Sequence, residues 1–122
     1  MPLAINLTYT WTDTNNKKVF LYGTLVPSGN YPGPGAIGDP LNFGNYLPTG
    51  YDYPVFLHVS GYAGRDAERE YFAETHMGRV PSGYGVGSGV KFFNAGNQIA
   101  AGAYPTEIVA AEWRFCAVYS KP

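Results

Sequence analysis

The chain has 122 residues, with eight basic and nine acidic side chains and a formal net charge of −1. This length predicts a single domain, and the charge balance excludes the basic surface that binds nucleic acid or anionic lipid. Only 14% of the residues are charged whereas 16% are aromatic, mostly tyrosine. That composition is typical of half-buried sheets and of surfaces that a partner covers.

An alternating run near the N-terminus predicts the first strand, and its apolar residues are Ile5, Leu7, Tyr9 and Trp11. We expect these four side chains on the buried face of the strand. A polar turn separates it from the return strand, Lys18–Val26, which is apolar on both faces. We therefore expect the return strand to be central and covered on both sides. Gly23 within it predicts a bulge or a close backbone approach.

Two loops rich in proline, glycine and tyrosine follow. The first, Pro27–Pro40, holds four prolines and four glycines, and a loop of this length is usually functional. The second runs from Gly44 to Pro54. We expect their tyrosines, and Tyr84 further on, to be exposed.

Further strands are predicted at Leu41–Phe43, Val55–Val59, Gly89–Asn94, Gln98–Gly102 and Ala110–Tyr119. The strand Val55–Val59 is expected to be buried. In the last strand, Trp113 and Phe115 alternate with charged or small residues and should anchor the core. About eight short strands in one chain predict an all-β domain, a β-sandwich of jelly-roll-like type.

The charged segment Gly64–Met77 has two interpretations. Its alanines and charges are compatible with a short helix, but its apolar residues form no clean helical stripe. We favour a strand around Arg69–Thr75 because the neighbouring segments are all predicted as strands. The glycine-rich segment that follows, Gly78–Gly89, is predicted to be a loop between strands.

No set of residues indicates catalysis, a cofactor or a metal. Glu74 and His76 have a spacing that metals use, but no second ligand pair accompanies them. The glycine-rich loop lacks the lysine and hydroxyl residue that end a phosphate-binding loop. Glu68 and Glu70 lie near arginines and are predicted to form ion pairs rather than a glycosidase acid pair. We expect a protein that is not an enzyme.

Cys116 is the only cysteine, so no intrachain disulfide is possible. Its place in an alternating strand predicts a small half-buried side chain rather than a nucleophile. No apolar run is long enough to cross a membrane, and the first residues have no pattern of a secretory signal. We expect the chain to fold in a reducing cytoplasm.

Recognition is predicted to lie in the tyrosine and proline loops, at Tyr31, Pro32, Pro34, Ile37, Tyr51 and Tyr53. Tyrosine is an interface residue, so a protein partner is the favoured interpretation. Exposed tyrosines also stack on sugar rings, which leaves a carbohydrate-binding module as the alternative.

Four stretches together resemble the β-sandwich decoration, or cement, proteins of tailed-bacteriophage capsids: Leu7–Trp11, Val19–Leu25, Gly38–Phe43 and the turn Ala103–Pro105. The charged segment Gly64–Met77 lies outside the resemblance. The resemblance implies a virion protein, commonly a homotrimer, that binds the major capsid protein on the outer surface of the shell and has no catalytic residues. Another head or tail component of a phage is the related alternative.

Overall fold

The computed structural model describes residues 3–34, 38–61, 71–76 and 88–121. Within these residues the ten strands are β1 (Ala4–Asp13), β2 (Lys18–Val26), β3 (Asn30–Tyr31), β4 (Asp39–Leu41), β5 (Tyr53–Ser60), β6 (Tyr71–His76), β7 (Ser88–Asn94), β8 (Asn97–Gln98), β9 (Gly102–Ala103) and β10 (Trp113–Ser120). A single 3-10 turn, Gly44–Tyr46, and one short helix, α1 (Thr106–Ala110), complete the described elements. The all-β prediction is confirmed. The strand count exceeds eight because β3 is an additional two-residue strand and the predicted strand Gln98–Gly102 is divided into β8 and β9.

Two antiparallel sheets hold most of the strands. One has the order β1-β2-β10-β5, and the other has the order β4-β7-β6 with β8 paired to β7. The chain alternates between them, since β2 and β5 lie in the first sheet and β4 and β6 in the second. Two antiparallel sheets joined in this way give the β-sandwich-like, all-β character that the turn-rich sequence predicts.

Aromatic side chains fill the space between the two sheets. The Trp113 ring of β10 meets the Phe92 ring of β7 edge-on, with ring centroids 5.1 Å apart. The hydroxyl groups of Ser88 on β7 and Tyr119 on β10 lie 3.0 Å apart and share a hydrogen bond. The predicted alternation in the last strand is confirmed, because Trp113, Phe115 and Tyr119 are at most 1% exposed.

The start of the last strand is corrected by the structure. We expected it at Ala110, but the helix α1 occupies Thr106–Ala110 and the strand begins at Trp113. Ile108 on the helix is fully buried, and the Trp113 indole N–H donates to its carbonyl oxygen at 2.9 Å. One helical turn thus closes one end of the core. The helix depends on contacts with the rest of the fold, which the local sequence pattern does not indicate.

The central position of β2 is confirmed, since it pairs with both β1 and β10. Its predicted burial on both faces is wrong. Val19 and Leu21 are fully buried, whereas Tyr22 on the opposite face is 46% exposed. The strand β5 was also predicted to be buried, and this is wrong for its outer face, where Phe56 is 49% exposed. The two strands are apolar on both faces, but the second sheet covers only one of them.

Three local predictions change in position. The short strand expected at Leu41–Phe43 is instead β4, and Phe43 lies beyond its end, buried against the rings of Phe115 and Tyr119. The strand expected at Gln98–Gly102 is divided between β8 and β9. The segment Gly64–Met77 contains β6, which confirms the strand interpretation for Tyr71–His76. Its remaining residues, and most of the predicted loop Gly78–Gly89, lie outside the described residues.

Candidate functional site

A β-bulge decides where the first strand points its aromatic side chains. Leu7 pairs with Gly23, but the next pair is Tyr9 with Tyr22, so Thr8 is the extra residue on β1. An extra residue reverses the alternation of the strand beyond it. Leu7 therefore points toward the core, whereas Tyr9 and Trp11 are 58% and 52% exposed. The expectation that all four apolar residues share the buried face is wrong for these two.

The bulge depends on a close backbone approach at Gly23, as the sequence predicts. A Cβ atom at this position would collide with the carbonyl oxygen of Asn6 and would lie 3.0 Å from the Cα of Leu7. Glycine is required here because the backbones of β1 and β2 approach too closely for a side chain, next to the point where the register of the pair shifts.

The strand registers bring six rings onto the outer face of the sheet β1-β2-β10-β5. One row runs Trp11, Phe20, Val118 and Phe56 across the four strands, and the row beside it begins with Tyr9 and Tyr22. Tyr53 lies on the same face of β5, opposite Ser120. We call this surface the aromatic face, formed by Tyr9, Trp11, Phe20, Tyr22, Tyr53 and Phe56.

Three rings of the aromatic face, Trp11, Phe20 and Phe56, stack on a neighbouring ring of the same sheet. Trp11 and Phe20 stack with ring centroids 5.3 Å apart and an interplanar angle of 21°. Phe56 stacks on His58 at 6.4 Å. Because each ring sits on a paired strand and has few rotatable bonds, contact with a partner would order little that is not already ordered.

The exposed area is large for a protein of this size. Five rings of the face are between 46% and 58% exposed: Tyr9, Trp11, Tyr22, Tyr53 and Phe56. An aromatic side chain offers about 150–250 Å², so these five leave on the order of 500 Å² open to solvent. That value lies in the upper part of the range of about 300–600 Å² for the largest apolar patch on a monomer, a patch that is often functional.

The charged side chains on this side of the sheet lie at its two ends, with Asp13 and Lys18 at one and Arg114 at the other. Asp13 of β1 lies opposite Lys18 of β2 at the turn. Asn16 donates to the Asp13 carboxylate from its side chain at 2.8 Å and from its backbone N–H at 3.2 Å. The side-chain bond is the larger cause that lowers the pKa of Asp13, with the backbone bond next. The Asp13 carboxylate therefore stabilises the turn between β1 and β2.

Cys116 lies within the same face, between Tyr22 and His58 in the register. Its thiol is half-buried, as the alternating pattern predicts. Among the described residues no group of three or more histidine, cysteine, aspartate or glutamate side chains could hold a metal.

The predicted recognition residues are not all exposed in the structure. Tyr31 and Tyr51 were expected to be exposed, but they are 1% and 8% exposed. Tyr31 packs edge-on against Phe92 and Tyr104 and accepts a hydrogen bond from Gln98 at 2.5 Å. The loops therefore use these two rings to complete the core, and the expectation of exposure is wrong for both.

The other predicted residues have different outcomes. Pro32 and Pro34 are exposed, and Tyr53 is 51% exposed and belongs to the aromatic face. Ile37 and Tyr84 lie outside the described residues. Tyr46 is half-buried, and its hydroxyl donates to the carbonyl of Ile5 at 3.4 Å.

Sequence reasoning missed the contribution of Phe20, Tyr22 and Phe56 to an exposed surface. The signal was present, because these rings alternate with the buried residues Val19, Leu21 and Leu57. Apolar residues on both faces of a strand indicate that something covers each face. They do not indicate whether the cover belongs to the same chain.

Two polar features lie elsewhere. The fully buried Asp39 accepts a hydrogen bond from the Tyr104 hydroxyl. Burial raises the pKa of the Asp39 carboxyl, and the bond from Tyr104 opposes part of that increase. A groove of about 480 Å³ is lined by Ser60, Gly61, Glu112 and Arg114. Glu112 and Arg114 pair with each other at 3.3 Å and are well exposed, so the groove presents a solvated ion pair.

No known protein family, curated protein or solved structure matches the chain. No helix among the described residues is long and apolar enough to span a membrane.

Proposed function

We propose that the protein is a structural virion component, a decoration protein that binds the major capsid protein on the outer surface of a tailed-phage head. The observation that carries the proposal is the aromatic face, an apolar surface of one sheet that no described element covers. The resemblance of four stretches of the sequence to capsid decoration proteins gives the class of partner.

The chemistry of the face suits a protein partner. Binding energy at protein interfaces concentrates in a few aromatic and arginine side chains near the centre of the contact. Tyr22, Phe20 and Val118 lie on the two middle strands, β2 and β10, with rings of the outer strands on either side. The charged pair Asp13 and Lys18 lies at the end, as in interfaces whose rim is polar.

The proposed role needs no chemistry beyond binding. A protein that binds the assembled shell, and not its dissociated subunits, stabilises the shell by mass action. Because a capsid repeats the same surface many times, each copy adds the same modest contribution. Pro32 and Pro34 are exposed and stay candidates for an additional contact. Ile37 lies outside the described residues and stays a candidate from the sequence alone.

The test is binding to heads that lack the protein. Purified full-length chain is mixed with mature heads of the phage that carries its gene, and the bound fraction is measured by co-sedimentation. We expect saturable binding by the native chain and at least a tenfold loss of affinity for Tyr22→Ala, which equals about 1.4 kcal/mol. Phe72→Ala is the matched control, because Phe72 is 44% exposed on the other sheet.

Equal losses for Tyr22→Ala and Phe72→Ala would remove the aromatic face from the proposal. Failure of the native chain to bind heads would overturn the capsid assignment. Imaging of labelled virions would then distinguish a tail component, which would appear at a different place on the particle.

A carbohydrate-binding module is the second candidate, and one observation favours it. Tyr9, Trp11 and Tyr22 present half-exposed rings on one side of a sheet, and such rings stack on sugars. A glycan array with the native chain tests it. Selective binding of a glycan that Trp11→Ala abolishes would favour this function over capsid binding.

A further inference from the structure

The strand β1 leaves one edge of its sheet open. Among the described strands, β1 pairs with β2 and with no other, and it forms one end of the order β1-β2-β10-β5. An edge strand carries a row of backbone N–H and C=O groups that can pair with another strand. All ten residues of β1 are exposed or half-exposed, so no described element buries this edge.

The other long edges of the two sheets carry features that prevent pairing. In β5, Pro54 removes a donor and the register shifts nearby. The Thr75 hydroxyl of β6 also donates to the Leu57 carbonyl of β5 at 3.2 Å. In β6 itself, Glu74 and His76 are polar residues of the kind that discourage edge pairing.

By contrast, β1 has almost none of these features. From Ala4 to Thr12 it contains no proline and no charged side chain, and threonine and aromatic residues dominate its second half. These residue types have the highest preference for strands. The protective features of β1 lie in its first half: the bulge at Thr8 and the Tyr46 hydroxyl, which donates to the Ile5 carbonyl at 3.4 Å. Beyond the bulge, Tyr9–Asp13 pairs with β2 in unbroken register.

We infer that β1 pairs antiparallel with β1 of a second copy of this chain, about a two-fold axis that passes beside Thr10. In this register Tyr9 lies opposite Trp11 of the partner, and Thr10 lies opposite its own counterpart. Aromatic pairs and threonine pairs directly across strands are among the favourable cross-strand contacts. The absence of charge on this part of β1 means that two identical edges meet without repulsion.

The pairing joins two sheets into one of eight strands. A two-fold axis perpendicular to the sheet keeps the same side outward in both copies, so the two aromatic faces become one continuous surface. The contact is isologous and therefore relates two copies, whereas the resemblance to decoration proteins implies three. The inference rests on the edge of β1 and is independent of which partner the aromatic face binds.

Introducing a charge at Thr10, the position that lies opposite its own counterpart, tests the inference. The full-length chain is measured by sedimentation equilibrium, and we expect a mass of two chains of 13.3 kDa. Thr10→Lys and Thr10→Glu each place like charges opposite each other and should each give monomers. An equimolar mixture of the two should restore the two-chain mass, because opposite charges then meet. Ser60→Lys, on the exposed β5 strand at the other end of the sheet, is the control and should remain dimeric.

A cross-link gives a second readout if the charged variants fail to fold. Thr10→Cys in a Cys116→Ser background should form a disulfide-linked dimer on mild oxidation, since opposed residues in an antiparallel pair lie within disulfide reach. Ser60→Cys in the same background should not. A monomeric native chain, a three-chain mass insensitive to charge at position 10, or equal cross-linking of both cysteine variants would overturn the inference.

Discussion

The two faces of the sheet β1-β2-β10-β5 are built from the same strands and are both apolar, yet they have different surroundings. On the inner face Trp113, Phe115 and Tyr119 are at most 1% exposed. On the outer face Trp11 and Tyr22 are about half exposed, at 52% and 46%. The difference lies in the second sheet, which packs on one face, whereas no described element covers the other. The inner face accounts for the stability of the fold, and the outer face is available for recognition.

Truncating one ring on each face gives the largest contrast. Trp113→Ala removes a fully buried ring and its hydrogen bond to Ile108, and we expect a loss of about 3–5 kcal/mol in the free energy of unfolding. Tyr22→Ala should change it by less than about 1 kcal/mol, because half of the ring is already in water. Urea denaturation of both variants measures the two values. Similar losses would contradict the assignment of the two faces.

The second prediction concerns the point at which β1 turns its aromatic residues from the inner to the outer face. Gly23→Ala would force its new methyl group against the backbone of Asn6 and Leu7. We expect a loss of about 1–3 kcal/mol, typical of overpacking where backbone must move. Thr24→Ala, on the next residue, is the matched control and should lie within about 0.5–1 kcal/mol of the native chain. Thermal unfolding compares the two, and equal stability would show that the bulge does not depend on Gly23.

The third and smallest effect is a pH dependence that arises within the core. The raised pKa of Asp39 means that the folded chain binds a proton which the unfolded chain has lost, once the pH exceeds the ordinary carboxyl range. Stability from this group is therefore present at low pH and is lost as the pH rises through the raised pKa, with a slope of at most about 1.4 kcal/mol per pH unit.

Asp39→Asn removes this titration. As the pH rises above about 4, the native chain should therefore lose stability relative to the variant. This trend is expected whether the variant is more or less stable than the native chain at any one pH. Urea denaturation from pH 4 to pH 7 measures it. Parallel curves for the two chains would show that the Asp39 carboxyl titrates alike in the folded and unfolded states.

Much of the fold could be predicted from the sequence, and the candidate site could be predicted only in part. The alternation of Trp113, Phe115 and Tyr119 is a local signal, and it gives both the strand and its buried face. The loop tyrosines carried no such signal. Tyr31 and Tyr51 share a turn-rich context with Tyr53, but only Tyr53 is exposed. Which ring reaches the core depends on the path of each loop over the sheets.

The sequence by itself determined an all-β chain, the central position of β2, the special role of Gly23 and the core face of β10. These features follow from period-two alternation and from the size of one residue, which are local properties. The tertiary structure decided which apolar face is covered and which way Tyr9 and Trp11 point. Those outcomes follow from the position of the second sheet and from one extra residue in β1, because a single-residue shift moves each later side chain to the opposite face.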